Sequence, residues 1–134
     1  MEAVPTSKPQ DPAADPSRSW SEALFRAIDR RDPERFLGFL ADDAEFRFAN
    51  LSPARGRDAI RDAVAGFFGS IAAVRHEVAD VWSVPGHVVC RGTVTYTRLD
   101  GREVSMAFCN ALGLRGELVV DYRIYIDPAP LFAP

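Results

Sequence analysis

Asp80, Arg91, Asn110 and Tyr122 are polar side chains set into stretches that otherwise alternate like β-strands. An aspartate beside an arginine, with an amide and a phenol close by, can do general acid–base chemistry. The carboxylate takes a proton, the guanidinium orients it, and the amide and phenol donate to a developing oxyanion. His76 is the other candidate base, because an unperturbed imidazole titrates near neutral pH. His87, next to Gly86, reads as a turn residue, and Arg30-Arg31 as a solvated helix end. No CxxC, HExxH, GxGxxG, P-loop or GxSxG motif occurs, so zinc, nucleotide and nucleophilic-serine chemistry have no sequence support. Neither a metal nor an organic cofactor is expected.

Whether these groups meet depends on strand register, because successive side chains point to opposite faces. Strands are expected near 44–49, 74–83, 87–99, 102–113 and 117–127, broken by Pro85-Gly86, Asp100-Gly101 and Arg115-Gly116. With Asp100-Gly101 as a two-residue hairpin turn, Leu99 faces Arg102 and Arg91 faces Asn110. A one-residue bulge in the last hairpin keeps apolar against apolar and sets Tyr122 beside Asn110. With Pro85-Gly86 as a two-residue turn, Asp80 lies opposite Arg91 and His76 opposite Thr95. The expected result is a row across four strands, Asp80-Arg91-Asn110-Tyr122, on the face that carries Val78, Met106, Phe108 and Ile124. Phe46, Phe48, Trp82 and Thr93 complete the expected binding surface. Cys90 and Cys109 fall on the opposite, convex face with Val94, Tyr96, Ala107 and Ala111, flanked by Asp121, Arg123 and Tyr125. An apolar sheet face with no helix to cover it suggests a homodimer.

Three helices must support this sheet. Ser19 and Glu22 have capping-box spacing, and Trp20, Leu24 and Ile28 follow at helical period. Asp32-Pro33 is an N-cap followed by proline at the first helical position, opening a short helix that ends near Asp42. The third helix follows Gly56, with Ile60, Val64, Phe67 and Ile71 on one stripe. Helices followed by antiparallel strands argue an α+β domain, a curved antiparallel sheet with helices on one face.

At 134 residues the chain holds one domain, expected at residues 19–134. Residues 1–18 carry Pro5, Pro9, Pro12 and Pro16 with little to bury, and read as a disordered Pro-rich tail. The net charge of −3 leaves no basic footprint for nucleic acid. No apolar run is long enough to span a membrane, and no secretory signal is visible. Two cysteines make no disulfide framework, so a cytoplasmic location is the default expectation.

Several motifs, in this order, resemble the nuclear transport factor 2-like superfamily and within it the SnoaL-like proteins. They are Phe39-Leu40-Ala41-Asp42-Asp43-Ala44, Gly56-Arg57-Asp58-Ala59-Ile60, and Gly92-Thr93-Val94-Thr95-Tyr96-Thr97-Arg98 before Asp100-Gly101. The last is Asp121-Tyr122-Arg123-Ile124-Tyr125-Ile126-Asp127. The resemblance implies a cone-shaped α+β fold: three helices on a curved antiparallel sheet, an apolar pocket between them, and a homodimer through the convex sheet face. Members include ketosteroid isomerase, limonene-epoxide hydrolase, polyketide cyclases and scytalone dehydratase, together with non-enzymatic domains. The ketosteroid isomerase catalytic positions match Phe48, Leu24 and Asn110, so its carboxylate base and its tyrosine are missing. The limonene-epoxide hydrolase arginine matches Arg91. Its two aspartates match Thr93 and Ile124, and its tyrosine and asparagine match Phe46 and Phe48. The acid/base aspartate of SnoaL-like cyclases also matches Ile124. Asp127, a family-typical acidic residue, lies off the pocket face by parity and reads as structural.

Two functional readings stay open. One is a cofactor-free isomerase, cyclase, lyase or hydrolase acting on an apolar oxygenated small molecule such as a polyketide or terpenoid. Asp80 or His76 would be its base, with Arg91, Asn110 and Tyr122 assisting. The other is a non-catalytic ligand-binding or dimerisation module, in which the polar row satisfies itself.

Overall fold

The structure is a computed structural model that describes residues 16–134. Residues 1–15 of the expected tail lie outside the described residues. Helix α1 (Pro16–Asp29) begins ahead of Ser19, which is therefore an interior helical residue and not a cap. It buries Ser21, Leu24, Phe25 and Ala27, the one-sided spacing of a helix laid on a core. Asp32 caps α2 (Pro33–Leu37) as expected, its carboxylate accepting from the Arg35 amide at 3.1 Å. Strand β1 (Leu40–Phe48) follows at once, so the chain is already extended where the second helix was expected to continue.

The short β2 (Ala54–Arg55) precedes α3 (Arg57–Gly69), which buries Ile60, Val64 and Phe68. Ser70 closes α3 with both its amide and its hydroxyl on the Phe67 carbonyl, so Ile71 starts a strand instead of ending the helix. The long strands are β3 (Ile71–Val84), β4 (His87–Arg98), β5 (Glu103–Arg115) and β6 (Leu118–Ile126). A last short helix, α4 (Ala129–Phe132), was not foreseen; the Asp127 carboxylate accepts from the Ala129 amide at 3.1 Å just before it.

The class is α+β, as expected, with one difference in the sheet. Its order is β2-β1-β6-β5-β4-β3, and β1 pairs with β6 in parallel, so the sheet is mixed. All other neighbours are antiparallel.

Two local geometries set the faces. The β4–β5 turn is a three-residue loop, Leu99-Asp100-Gly101: the Arg98 amide donates to the Arg102 carbonyl, and the Gly101 amide to Arg98. Gly101 supplies the left-handed residue at φ 91° that such a loop requires. One extra loop residue shifts the register by one, so Arg91 faces Cys109 and Asn110 faces Cys90. The second geometry is a bulge in β3 between Val78 and Asp80, which leaves Ala79 unpaired. Before the bulge, His76 lies opposite Val94, not Thr95; after it, Asp80 lies opposite Arg91 as expected.

The expected four-strand row is therefore split. Cys90, Val94, Tyr96, Phe108, Asn110 and Tyr122 lie on the inner face with the buried core. Asp80, Arg91, Thr93 and Cys109 lie on the outer face. Val94, Tyr96 and Cys90, expected on the convex side, are thus core residues. In the β5–β6 hairpin Asn110 pairs with Ile124 and Tyr122 with Leu112, a shift of two that keeps Tyr122 on the inner face.

Candidate functional site

Between α3 and the inner sheet face lies a cavity of about 150 Å³. Phe36 of α2, Phe46 and Phe48 of β1, and Val64 and Phe67 of α3 form much of its apolar wall. The sheet contributes Phe108, Ile124 and four polar side chains: His76, Tyr96, Asn110 and Tyr122.

His76 is held by Asp29, the last residue of α1. Its Nδ1 lies 2.6 Å from Asp29 Oδ1, and its backbone amide donates to Asp29 Oδ2 at 3.1 Å. The meeting follows from how α1 is tied along β3. Arg18, near its start, donates to the Val78 carbonyl at 3.1 Å, and Arg31, past its end, donates to the Ile71 carbonyl at 3.1 Å. The imidazole is 8 % exposed and the carboxylate 28 %. Phe25 and Phe108 pack on the ring at centroid distances of 4.7 and 5.2 Å. A carboxylate only accepts, so Nδ1 carries the proton and Nε2 is the nitrogen left to exchange a proton with a bound molecule.

Asn110 is 2 % exposed. Its Nδ2 donates to the Tyr122 hydroxyl at 3.4 Å, while its Oδ1 is buried with no hydrogen-bond partner among the described residues. An unmet acceptor of this kind costs about 1–3 kcal/mol. Burial pushes the Tyr122 phenol far above its ordinary range, and Cys90 nearby adds to the effect. Burial does the same to Tyr96, assisted by the Asp29 charge. Both phenols are therefore neutral hydrogen-bonding groups at ordinary pH, not bases.

These shifts fix the sign of an alkaline effect. Above about pH 10 the unfolded chain releases phenolic protons that the folded chain keeps. Stability is thus complete below that pH and falls above it, by about 1.4 kcal/mol per pH unit for each phenol. Replacing both Tyr96 and Tyr122 with phenylalanine should remove most of this alkaline slope in urea denaturation. An unchanged slope would contradict the assignment.

Of the residues expected to act together, the cavity unites His76, Asn110 and Tyr122 with Phe46, Phe48, Phe108 and Ile124. Asp80 and Arg91 pair at 2.8 Å, but on the outer face, where their side chains are 41 % and 61 % exposed. Arg91 also lies over the Trp82 ring at 5.3 Å. Asp80, Arg91, Trp82 and Thr93 cannot line the cavity, because the loop at Leu99–Gly101 and the β3 bulge put their side chains on the far side of the sheet. The same parity removes Arg91 and Thr93 from the epoxide hydrolase roles that the resemblance implied. Met106 is on the inner face and packs against the core outside the cavity lining.

Asp29 was missed. The available signal was its helical spacing, four residues after Phe25, which puts both on the face turned to the sheet.

The comparisons with known proteins agree with this architecture. An NTF2-like protein of unknown function from Burkholderia pseudomallei superposes with a TM-score of 0.78 at 19 % identity, over 86 % of this chain and 93 % of its own. A SnoaL-like polyketide cyclase, so described, from Jannaschia gives a TM-score of 0.72 at 15 % identity, over 92 % and 94 %. An LEH-like epoxide hydrolase from M. tuberculosis gives 0.71 at 17 % identity, over 85 % and 84 %. At these identities the likeness establishes the fold alone. No curated protein matches the sequence. The SnoaL-like domain family matches residues 21–122, which run from the buried Ser21 of α1 to Tyr122 in the cavity wall. That span includes Asp29, His76 and Asn110, and the chain belongs to the SnoaL-like domain family.

Proposed function

We propose that this protein is a cofactor-independent acid–base enzyme, of the isomerase, cyclase, lyase or hydrolase kind, acting on an apolar oxygenated small molecule. The observation that carries this reading is the Asp29–His76 pair beside an apolar cavity. Nε2 of His76 takes a proton from the bound molecule, and the imidazolium that forms is stabilised by the Asp29 carboxylate. Negative charge then developing on a substrate oxygen is met by Tyr122, whose hydroxyl accepts from Asn110 and keeps its own proton to donate. The aromatic wall lowers the polarity around the pair, which strengthens both interactions.

A pocket-sized carbon acid tests the reading: conversion of cyclohex-3-en-1-one to cyclohex-2-en-1-one, followed by ultraviolet absorbance. The base removes the C2 proton and returns one to C4. The protein should exceed the buffer rate, and His76→Gln should lose about 10²-fold or more of the excess. Equal rates in the two proteins would sink the assignment of His76. A non-catalytic ligand-binding module has one observation in its favour, since no acidic side chain is among the lining residues. It is the outcome if the wild-type protein never exceeds buffer.

A further inference from the structure

Two features of the cavity do not depend on catalysis, its size and the hydrogen-bonding state of its Asn110–Tyr122 pair. An engineered apolar cavity of about 150 Å³ holds one benzene molecule. The cavity here has a volume of about 150 Å³, and Leu51, 63 % exposed, is among its lining residues. A single six-membered ring fills such a space. A fused four-ring skeleton is larger and would have to extend out of this space past Leu51.

The second feature is a pair of neighbouring polar atoms with complementary needs. Asn110 Oδ1 is a buried acceptor with no donor among the described residues. The Tyr122 hydroxyl accepts from Asn110 Nδ2, and its own proton meets no acceptor among the described residues. One functional group answers both, because a hydroxyl donates one hydrogen bond and accepts others. A ketone or an ether only accepts, so it leaves Oδ1 unmet. Phe108 lies two residues from Asn110 on the same face of β5, about 7 Å along the strand, and its ring touches that of His76. A ring resting on Phe108 with its hydroxyl at Asn110 therefore also comes within reach of the imidazole.

We infer that the cavity takes a single apolar ring bearing a hydroxyl group, a phenol or a cyclic alcohol, with that hydroxyl seated between Asn110 Oδ1 and the Tyr122 hydroxyl. The inference rests on the cavity being the binding site of the proposed function, and narrows its substrate class.

Calorimetric titration of the full chain with benzene, phenol, anisole, cyclohexanol and cyclohexanone tests it. Phenol should bind about tenfold tighter than benzene or anisole, and cyclohexanol about tenfold tighter than cyclohexanone. Asn110→Leu should abolish both preferences while still binding benzene. The wild-type series decides the question even if the variant fails to fold. Anisole equal to phenol, cyclohexanone tighter than cyclohexanol, or a four-ring steroid binding where phenol does not would each overturn the inference. None of those results touches the turnover test of His76. Conversely, the expected binding order with no isomerisation above buffer would remove the enzymatic reading and leave the ligand class standing.

Discussion

Gly92→Ala should destabilise the protein by about 3–5 kcal/mol, lowering the melting temperature by roughly 10–20 °C. A Cβ at this position would lie 1.9 Å from the Glu77 carbonyl oxygen, 2.9 Å from its carbon and 3.0 Å from Val78 Cα. All three are backbone atoms, so no side chain can turn aside, and strand β3 itself must move. The crowding comes from the β3 bulge beside Gly92, where Val78 is its partner and Ala79 is left unpaired. Gly66→Ala is the control. A Cβ there meets nothing within 4 Å, and Gly66 is interior to α3, so that variant should gain about 0.5–1 kcal/mol. Thermal or urea denaturation of both variants measures the contrast. A Gly92→Ala variant as stable as wild type would mean that the bulge is not as described.

That bulge also explains much of what the sequence concealed. The first three helices, the hairpin positions and the inner face of β5 were legible, because each rests on a local signal: the Asp32-Pro33 cap, the Asp100-Gly101 turn, the alternation of Met106, Phe108 and Asn110. Asp80 opposite Arg91 was also legible. What failed was parity. A loop of three residues and a loop of two carry the same Asp-Gly signature, yet they send Arg91 to opposite sides of the sheet. The bulge compounds this, because it puts His76 inside and Asp80 outside although both numbers are even. The composition of β4 itself, with Arg91, Thr93 and Thr95 alternating against Cys90, Val94 and Tyr96, fits the observed outward placement, but a two-residue turn reverses it. Asp29 stayed hidden for another reason. Its partner lies 47 residues away, and only the docking of α1 along β3 brings them together.

Asp29→Asn should lower turnover by about 10²–10⁴-fold, as much as removing the imidazole, with little change in ligand affinity. The argument turns on the two contacts Asp29 makes. The His76 backbone amide donates to one carboxylate oxygen at 3.1 Å, and Nδ1 lies 2.6 Å from the other. An asparagine at this position keeps its oxygen on the backbone N–H, which leaves its NH₂ facing the ring. That NH₂ donates to Nδ1, so Nδ1 must become the acceptor and Nε2 must carry the proton. The ring stays in place with its basic nitrogen turned the wrong way round. Separate measurement of kcat and KM on the cyclohexenone probe distinguishes this from loss of packing, because only kcat should fall. A fall in KM-limited binding with kcat intact would show that Asp29 holds the ring for structural reasons alone.

The three-residue loop between β4 and β5 has a consequence for how such a sequence can vary. From His87 to Thr97 the ladder runs without a register shift, so interior and exterior positions interleave strictly along both strands. Substitutions at Arg91, Thr93 or Cys109 can rewrite what the exterior adheres to while the cavity wall stays the same, and two selective pressures can act on one strand without conflict. A single-residue insertion or deletion at Leu99–Gly101 has the opposite character, since it would exchange the two sets of side chains at a stroke. Drift in composition is tolerable there, and drift in length is not.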